Sequence, residues 1–426
     1  MKEIKYRARL VDSLLDRKLQ GKGAVLVEGP KWCGKTTTSK QRSASILNLG
    51  DVNILRQSRQ LAEMNPALLL KGATPRLIDE WQTIPELWDA VRSEVDERNE
   101  FAQFVLTGSS VPVSPDELIH SGTGRISRLK MRTMTLYESG DSNGNISLKD
   151  LFDVPEQIFA ENTIDIDRLA YLICRGGWPQ ATFLEGDIAL DQAYDYYDAI
   201  VANDISRVDG IRRSQERTKM LMRSYARHQG ASVNYSLIAN DMQANDGVAP
   251  DTDTIASYVS ALKKIFVVED MPAWNPNLRS KCAIRTSDTR YFVDPSIGVA
   301  ALGIGPRDFL NDLNTFGLFF ETLAVRDLRV FAETMDGNVY HYRDSNGLEC
   351  DAVLHRRNGS YGLIEIKLGG ETSIEEASDN LLSLEKIIDT TRMPSPSFKL
   401  VLIGVGKYAY RRKDGVYVVP IGCLKP

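Results

Sequence analysis

Ala24-Val25-Leu26-Val27-Glu28-Gly29-Pro30-Lys31-Trp32-Cys33-Gly34-Lys35-Thr36-Thr37-Thr38 is the stretch that decides how the rest of this chain is read. Ala24–Glu28 is a strand-length apolar run. Gly29 and Gly34 bracket four residues, and Thr36–Gln41 reads as the first turns of a helix. Without Cβ atoms the two glycines let the loop turn its N–H groups inward. A strand, a loop of the form G-x-x-x-x-G-K-[ST] and a helix together make a P-loop. Gly29, Pro30, Lys31, Trp32, Cys33, Gly34, Lys35, Thr36 and Thr37 would then surround the phosphates of ATP. Lys35 would reach the β- and γ-phosphates, the Thr36 hydroxyl would hold Mg²⁺, and the helix N-terminus would add its positive end.

Such a cradle needs an acidic strand beside it, and Pro75-Arg76-Leu77-Ile78-Asp79-Glu80 supplies one. Asp79 is the candidate for the Mg²⁺ shell and Glu80 for orienting or deprotonating the attacking water. Phe104-Val105-Leu106-Thr107-Gly108-Ser109-Ser110 is another apolar strand ending in small polar residues. Either Thr107 or Ser109 is positioned to sense the water or the γ-phosphate. In Gly124-Arg125-Ile126-Ser127-Arg128, either Arg125 or Arg128 is a candidate to stabilise the γ-phosphate, in cis or from a second copy in a homo-oligomer.

Strand candidates Ala24–Val27, Ser45–Leu49, Arg76–Ile78 and Phe104–Leu106 alternate with helical segments. That order predicts an α/β parallel sheet with helices on both faces. Leu10, Val11, Leu14, Leu15 and Leu19 mark a helix ahead of the first strand. The turn-rich Ser139–Asn145 suggests a domain edge. Residues 150–230 read as mostly helical, broken at Gly176-Gly177-Trp178-Pro179. Residues 231–271 read as short helix (Ser236–Met242), turn, longer helix and strand, the order of a winged helix. That module either reads DNA or packs rigidly against an ATPase. The division expected is 1–145, 146–230, 231–311 and 312–426.

Composition narrows the rest. The chain has 426 residues and a net charge of −5, against a protein coated in nucleic acid. Its first residues form no signal-peptide pattern, and its apolar runs are too short for a membrane span. Five scattered cysteines and four unclustered histidines argue against a disulfide framework or a structural zinc site. A reducing cytoplasm is the expected compartment.

A second candidate site lies at the far end. Glu349-Cys350-Asp351-Ala352-Val353-Leu354 and Leu363-Ile364-Glu365-Ile366-Lys367 read as strands. Glu365 and Lys367, two apart, project to the same face, and Asp351 is placed for a hairpin that brings it alongside. Glu321, on an apolar helix over Phe316–Phe331, is a fourth candidate. Two or three carboxylates on Mg²⁺ with a lysine beside them form a phosphodiester-cleaving arrangement, Asp351 and Glu365 holding the metal and Lys367 stabilising developing charge or positioning the nucleophile. Solvated strand charges give the same pattern. Asn277–Arg290, with Arg279, Lys281, Arg285 and Arg290, either grips the phosphates of a nucleic acid or is a charged docking loop.

Taken together these motifs resemble a widespread prokaryotic family of ATP-binding proteins that join an AAA-like ATPase to a restriction-endonuclease-like domain. The resemblance rests on Gly29–Thr36, Leu77-Ile78-Asp79-Glu80-Trp81-Gln82, Leu106–Ser110, Gly176–Pro179, Tyr291-Phe292-Val293-Asp294-Pro295-Ser296, and Asp351 with Glu365-Ile366-Lys367. It implies an ATPase core, a winged-helix module and a C-terminal P-D-(D/E)-x-K nuclease fold that cuts or has lost its activity. Here Cys350 stands where that signature has proline. The expectation is an ATP- and Mg²⁺-dependent ATPase whose nucleotide state controls nuclease-like action on nucleic acid. The alternative is a nucleotide-gated scaffold that binds a protein or DNA partner and cuts nothing.

Overall fold

The computed structural model describes residues 6–109, 122–231, 234–246, 250–275, 287–344 and 347–426. The chain forms two compact units. The first comprises residues 1–133, 200–213 and 259–267, and the second 134–199, 214–258 and 268–426. This division departs from the four consecutive segments expected from the sequence. The turn-rich stretch 139–145 is not an edge between units, because it is fastened inside the second one. Asn143 N–H donates to Gly422 O at 2.8 Å, and the Ser142 hydroxyl donates to Leu424 O at 2.7 Å.

The first unit is built on strands β1 (Ala24–Glu28), β2 (Ser45–Asn48), β3 (Arg76–Asp79), β4 (Phe104–Gly108) and β5 (Ile126–Lys130). They form one parallel sheet in the order β2-β3-β4-β1-β5. Alternation along each strand sorts the side chains to two faces. Val25, Val27, Leu77, Val105 and Leu129 pack with Leu14, Leu15 and Leu19 of helix Leu10–Leu19. Leu26, Ile78, Phe104 and Leu106 pack on the other face with Trp81, Leu87, Trp88 and Val91. Burying each such side chain contributes about 1.5–3 kcal/mol. Because all five strands run the same way, Gly29, Asp79, Glu80 and Ser109 emerge at one edge. In open α/β sheets that edge, beyond the strand carboxyl ends, holds the ligand.

The second unit holds β6 (Ile146–Ser147), β7 (Ala160–Glu161), β8 (Val268–Met271), β9 (Thr289–Phe292), β10 (Gly337–Arg343), β11 (Glu349–Arg356), β12 (Tyr361–Lys367), β13 (Phe398–Ile403), β14 (Tyr408–Arg411), β15 (Tyr417–Pro420) and β16 (Leu424–Lys425). Seven of them form a mixed sheet, β10-β11-β12-β13-β15-β14-β7. Helix Leu313–Thr334 leads into the antiparallel meander β10–β11–β12, and helix Glu371–Ile387 then carries the chain to β13, parallel to β12. Val353, Leu363 and Val401 meet Ala377, Leu381 and Leu384 of that second helix in one core.

Ahead of this core come helices Gln215–Arg227, Tyr235–Asp246 and Thr252–Lys264, then the antiparallel pair β8–β9. The strand expected at the end of 231–271 is β8, which begins at Val268, past a left-handed turn at Phe266 (φ 58°). Gly176-Gly177-Trp178 does more than break a helix. Gly177 N–H donates to Asp294 Oδ2 at 2.9 Å, and the Trp178 indole donates to Ser296 Oγ at 2.9 Å. The fully buried Asp294 also accepts from Arg326 Nη1 at 3.0 Å. The two motifs, over a hundred residues apart, are thus halves of one buried socket. No helix of the described residues is long and apolar enough to cross a membrane.

Candidate functional site

The P-loop has the backbone its glycines require. Gly29 (φ 157°) and Gly34 (φ 102°) occupy conformations that L side chains rarely adopt, and a Cβ on Gly29 would collide with the carbonyl oxygen of Met131. Trp32 is also left-handed, at φ 64°, and exposed at the loop's crown, while Cys33 is buried beneath it. The helix that follows is short, Lys35–Lys40. Lys35 is buried, and its ammonium donates to Gly29 O at 2.9 Å and Pro30 O at 2.7 Å. The loop therefore curls around its own lysine. Thr37 faces outward, and Lys31 forms an ion pair with Asp204 at 2.6 Å.

Strand order brings the other groups together. β4 lies between β1 and β3, so Thr107 pairs with Val27 on one side and Asp79 on the other. Asp79 Oδ1 accepts the Thr36 hydroxyl at 2.7 Å and the Thr107 hydroxyl at 2.5 Å. Thr107 Oγ1 in turn accepts the Glu80 N–H at 3.3 Å. Ser109 serves a different acid, donating to Glu80 Oε2 at 3.1 Å, and Gln82 donates to the same oxygen. The sequence left Thr107 and Ser109 as alternatives; the fold divides the two acids between them. Glu80 is left-handed at φ 58°, strain of about 1–3 kcal/mol for a residue with a side chain, of the kind found at working sites.

The arginines fare differently. Arg125 precedes β5, at the opposite edge of the parallel sheet from the P-loop, and pairs with Asp96 at 2.7 Å. It cannot reach the same chain's phosphate site. Arg128 lies beside Leu26 in register and pairs with Glu28 at 3.0 Å, next to Gly29.

In the second unit, Asp351 on β11 and Glu365 and Lys367 on β12 converge as their spacing predicts. Lys367 Nζ lies 3.1 Å from Asp351 Oδ2 and 2.7 Å from Glu365 Oε2. Asp351 Oδ2 also accepts the Ile366 N–H at 2.7 Å. Asn380, not singled out from the sequence, donates to Glu365 Oε1 at 2.7 Å and to Glu349 O at 2.7 Å. Its value is invisible until helix Glu371–Ile387 is laid on β11 and β12. Glu321 accepts from the Tyr291 hydroxyl at 2.6 Å. Burial, then the charge of Asp351, pushes both Glu365 and Glu321 up to about 8, with Lys367 pulling the other way. Burial alone would lower Lys367, but the two acids it bridges outweigh that and raise it. Among the described residues no three His, Cys, Asp or Glu side chains are arranged to hold a metal ion, so a three-carboxylate cluster does not form. Two acids and a lysine do. Of the basic loop 277–290, residues 277–286 lie outside the described residues; Arg290 stacks over Tyr235 at 4.5 Å.

Comparison with known proteins bears on the first site directly. A family model described as "AAA domain" matches residues 21–139. Models described as domains of unknown function, DUF8612 and DUF4143, match residues 166–308 and 316–424. Uncharacterised proteins of Mycobacterium bovis and Mycobacterium tuberculosis are each 24% identical over 410 residues, 95% of this chain and 82% of theirs. Among solved structures, the Walker-type ATPase PABY2304 of Pyrococcus abyssi is similar at a TM-score of 0.42 and 14% identity, over 70% of this chain and 96% of that one. That last likeness is too slight to bear on function. The match to the AAA domain, on a sheet of this order carrying this loop, makes residues 21–139 an AAA-like P-loop ATPase domain that binds ATP.

Proposed function

We propose that this protein hydrolyses ATP with Mg²⁺ and that its nucleotide state governs a nuclease-like site formed by Asp351, Glu365 and Lys367. The observation that carries the first half is the shared acceptor Asp79 Oδ1, which holds the hydroxyls of both Thr36 and Thr107 at the P-loop edge of the sheet. The groups fit the cofactor. The buried Lys35, whose ammonium donates to Gly29 O and Pro30 O, puts a cation inside the loop where the phosphates would lie. Lys35 would bind the β- and γ-phosphates, and Thr36 and Asp79 would hold the metal. Bound there, Mg²⁺ supplies charge neutralisation at the phosphates. Glu80, kept in place by Ser109 and Gln82, orients the attacking water and takes its proton.

The second half rests on Lys367 bridging two acids, and on the order helix, three-stranded meander, helix, parallel strand that presents them. A phosphodiester would enter with its developing charge facing Lys367, and nucleic acid is the matching substrate class. The second reading is a nucleotide-gated regulator that cuts nothing. The hydrogen bond from Tyr291 to Glu321 favours it, because it occupies an oxygen of the third acid, which lies close enough to feel the charge of Asp351.

The deciding experiment measures ATP turnover and cleavage of single-stranded, duplex and branched DNA and of RNA, with Mg²⁺ or Mn²⁺, with and without ATP. Cutting that vanishes in Asp351→Ala and responds to Lys35→Ala upholds the proposal. Turnover without cutting moves the protein to the regulator reading. Turnover unchanged in Lys35→Ala removes the first half.

A further inference from the structure

The short segment before the ATPase domain match grips the P-loop from outside. Arg9 caps the start of helix Leu10–Leu19 and is buried at 6% exposure. Its guanidinium donates to Cys33 O at 2.8 Å and to Arg132 O at 2.9 Å. The first carbonyl belongs to the P-loop itself, one residue before Gly34. The second belongs to the chain leaving β5, where neighbouring Met131 O lies against Gly29 and accepts the Cys33 thiol at 3.6 Å. Arg9 thus ties the far side of the loop to its outer wall.

The same segment holds the helix that follows. The Tyr6 hydroxyl donates to Asp12 Oδ1 at 2.6 Å and lies 3.2 Å from Thr38 Oγ1. Asp12 Oδ2 accepts the Arg9 N–H at 2.9 Å and sits 3.5 Å from Arg42. Cys33 and Thr38, on either side of Gly34-Lys35-Thr36, are therefore both fastened to residues 6–12.

We propose that Arg9 is a positioning residue for nucleotide binding, fixing the Cys33 carbonyl outward so that the P-loop N–H groups stay turned toward the phosphates. The reason is geometric. A peptide unit's C=O and N–H point in opposite directions, so a carbonyl held by an external donor commits the next N–H, that of Gly34, to the inner side. Five fixed donors let a planar guanidinium hold two carbonyls at once, which an ammonium on a flexible stem does not reproduce. Organising the loop before the anion arrives lowers the ordering cost of binding. This rests on the ATP-binding reading of the P-loop.

The test uses the full chain with ATP as ligand, comparing wild type, Arg9→Met, Arg9→Lys and Lys35→Ala for ATP affinity, KM, kcat and melting midpoint. Arg9→Met keeps bulk and loses the donors; its KM and Kd for ATP are expected to rise about tenfold or more, with kcat little changed. Arg9→Lys should fall between it and wild type. A merely structural arginine would instead lower the melting midpoint and the active fraction and leave KM where it was. Folded Arg9→Met with wild-type ATP affinity overturns the proposal. Should that variant fail to fold, Arg9→Lys decides, a wild-type KM overturning the proposal and a several-fold rise upholding it. Wild type that binds no ATP, or Lys35→Ala that binds it normally, overturns the nucleotide site itself, and with it any role for Arg9.

Discussion

Thr36 and Asp79 are 43 residues apart in the chain and 2.7 Å apart at the Thr36 hydroxyl. One lies in the helix that follows β1 and the P-loop, the other ends β3, and the two strands are not neighbours, since β4 runs between them. The inserted strand is what puts Thr107 against Asp79. A phosphate-binding loop and an acid strand therefore meet through a third strand that carries its own hydroxyl to the junction.

Glu80→Gln should keep ATP affinity and lose turnover by about 10²–10⁴-fold, because the amide preserves shape but takes no proton. Ser109 and Gln82 already hold the side chain, so the loss should appear in kcat rather than KM. Equal kcat in the variant would move the base elsewhere. Steady-state phosphate release against ATP concentration reads both constants.

Thr107→Val and Ser109→Ala should differ. The first leaves Asp79 without one of its two hydroxyl donors and Glu80 N–H without an acceptor, and turnover should drop about tenfold or more. The second leaves Glu80 still held by Gln82, and a change of only a few fold is expected. Side-by-side turnover at saturating ATP and Mg²⁺ tests this, and the reverse order would reassign the sensor to Ser109.

Gly177→Ala should destabilise the second unit by about 1–3 kcal/mol, a cost of overpacking. The added Cβ would collide with the Met134 carbonyl and come within 2.9 Å of Arg326 Nη1, which is already committed to Asp294. Thermal melts of the full chain read the shift. Gly186→Ala, in open space but left-handed at φ 65°, is a useful comparison that carries the backbone strain alone.

Stability should carry a pH signature from Glu365, whose carboxyl is raised to about 8 by burial and by Asp351. Raised in the folded state, it holds its proton more tightly than in the unfolded chain. The charge penalty is therefore absent below the ordinary carboxylate range, grows as pH rises, and is complete above about 8. The melting midpoint of Glu365→Gln relative to wild type should climb across that window and then level off. A flat difference would mean that Lys367 fully compensates the buried charge.

The P-loop was legible because its chemistry is local. Glycine spacing, a lysine and a threonine act within eight consecutive residues, and flanking apolar alternation is enough to place them between strand and helix. Asp79 and Glu80 were legible as the acidic end of an apolar strand, and the Glu365–Lys367 pair because strand periodicity fixes which residues share a face. What the sequence by itself determined is this set of local elements and the residues poised at their ends. Only the tertiary structure decided the rest. It assigned Thr107 to Asp79 and Ser109 to Glu80, set Arg125 at the wrong edge for its own P-loop, and turned Glu321 to Tyr291. It brought Asn380 to Glu365 and Arg9 to the Cys33 carbonyl. Each of these is a hydrogen bond or ion pair between residues whose separation along the chain says nothing of their distance. Strand order and helix docking set that distance, and they follow from how the whole core packs.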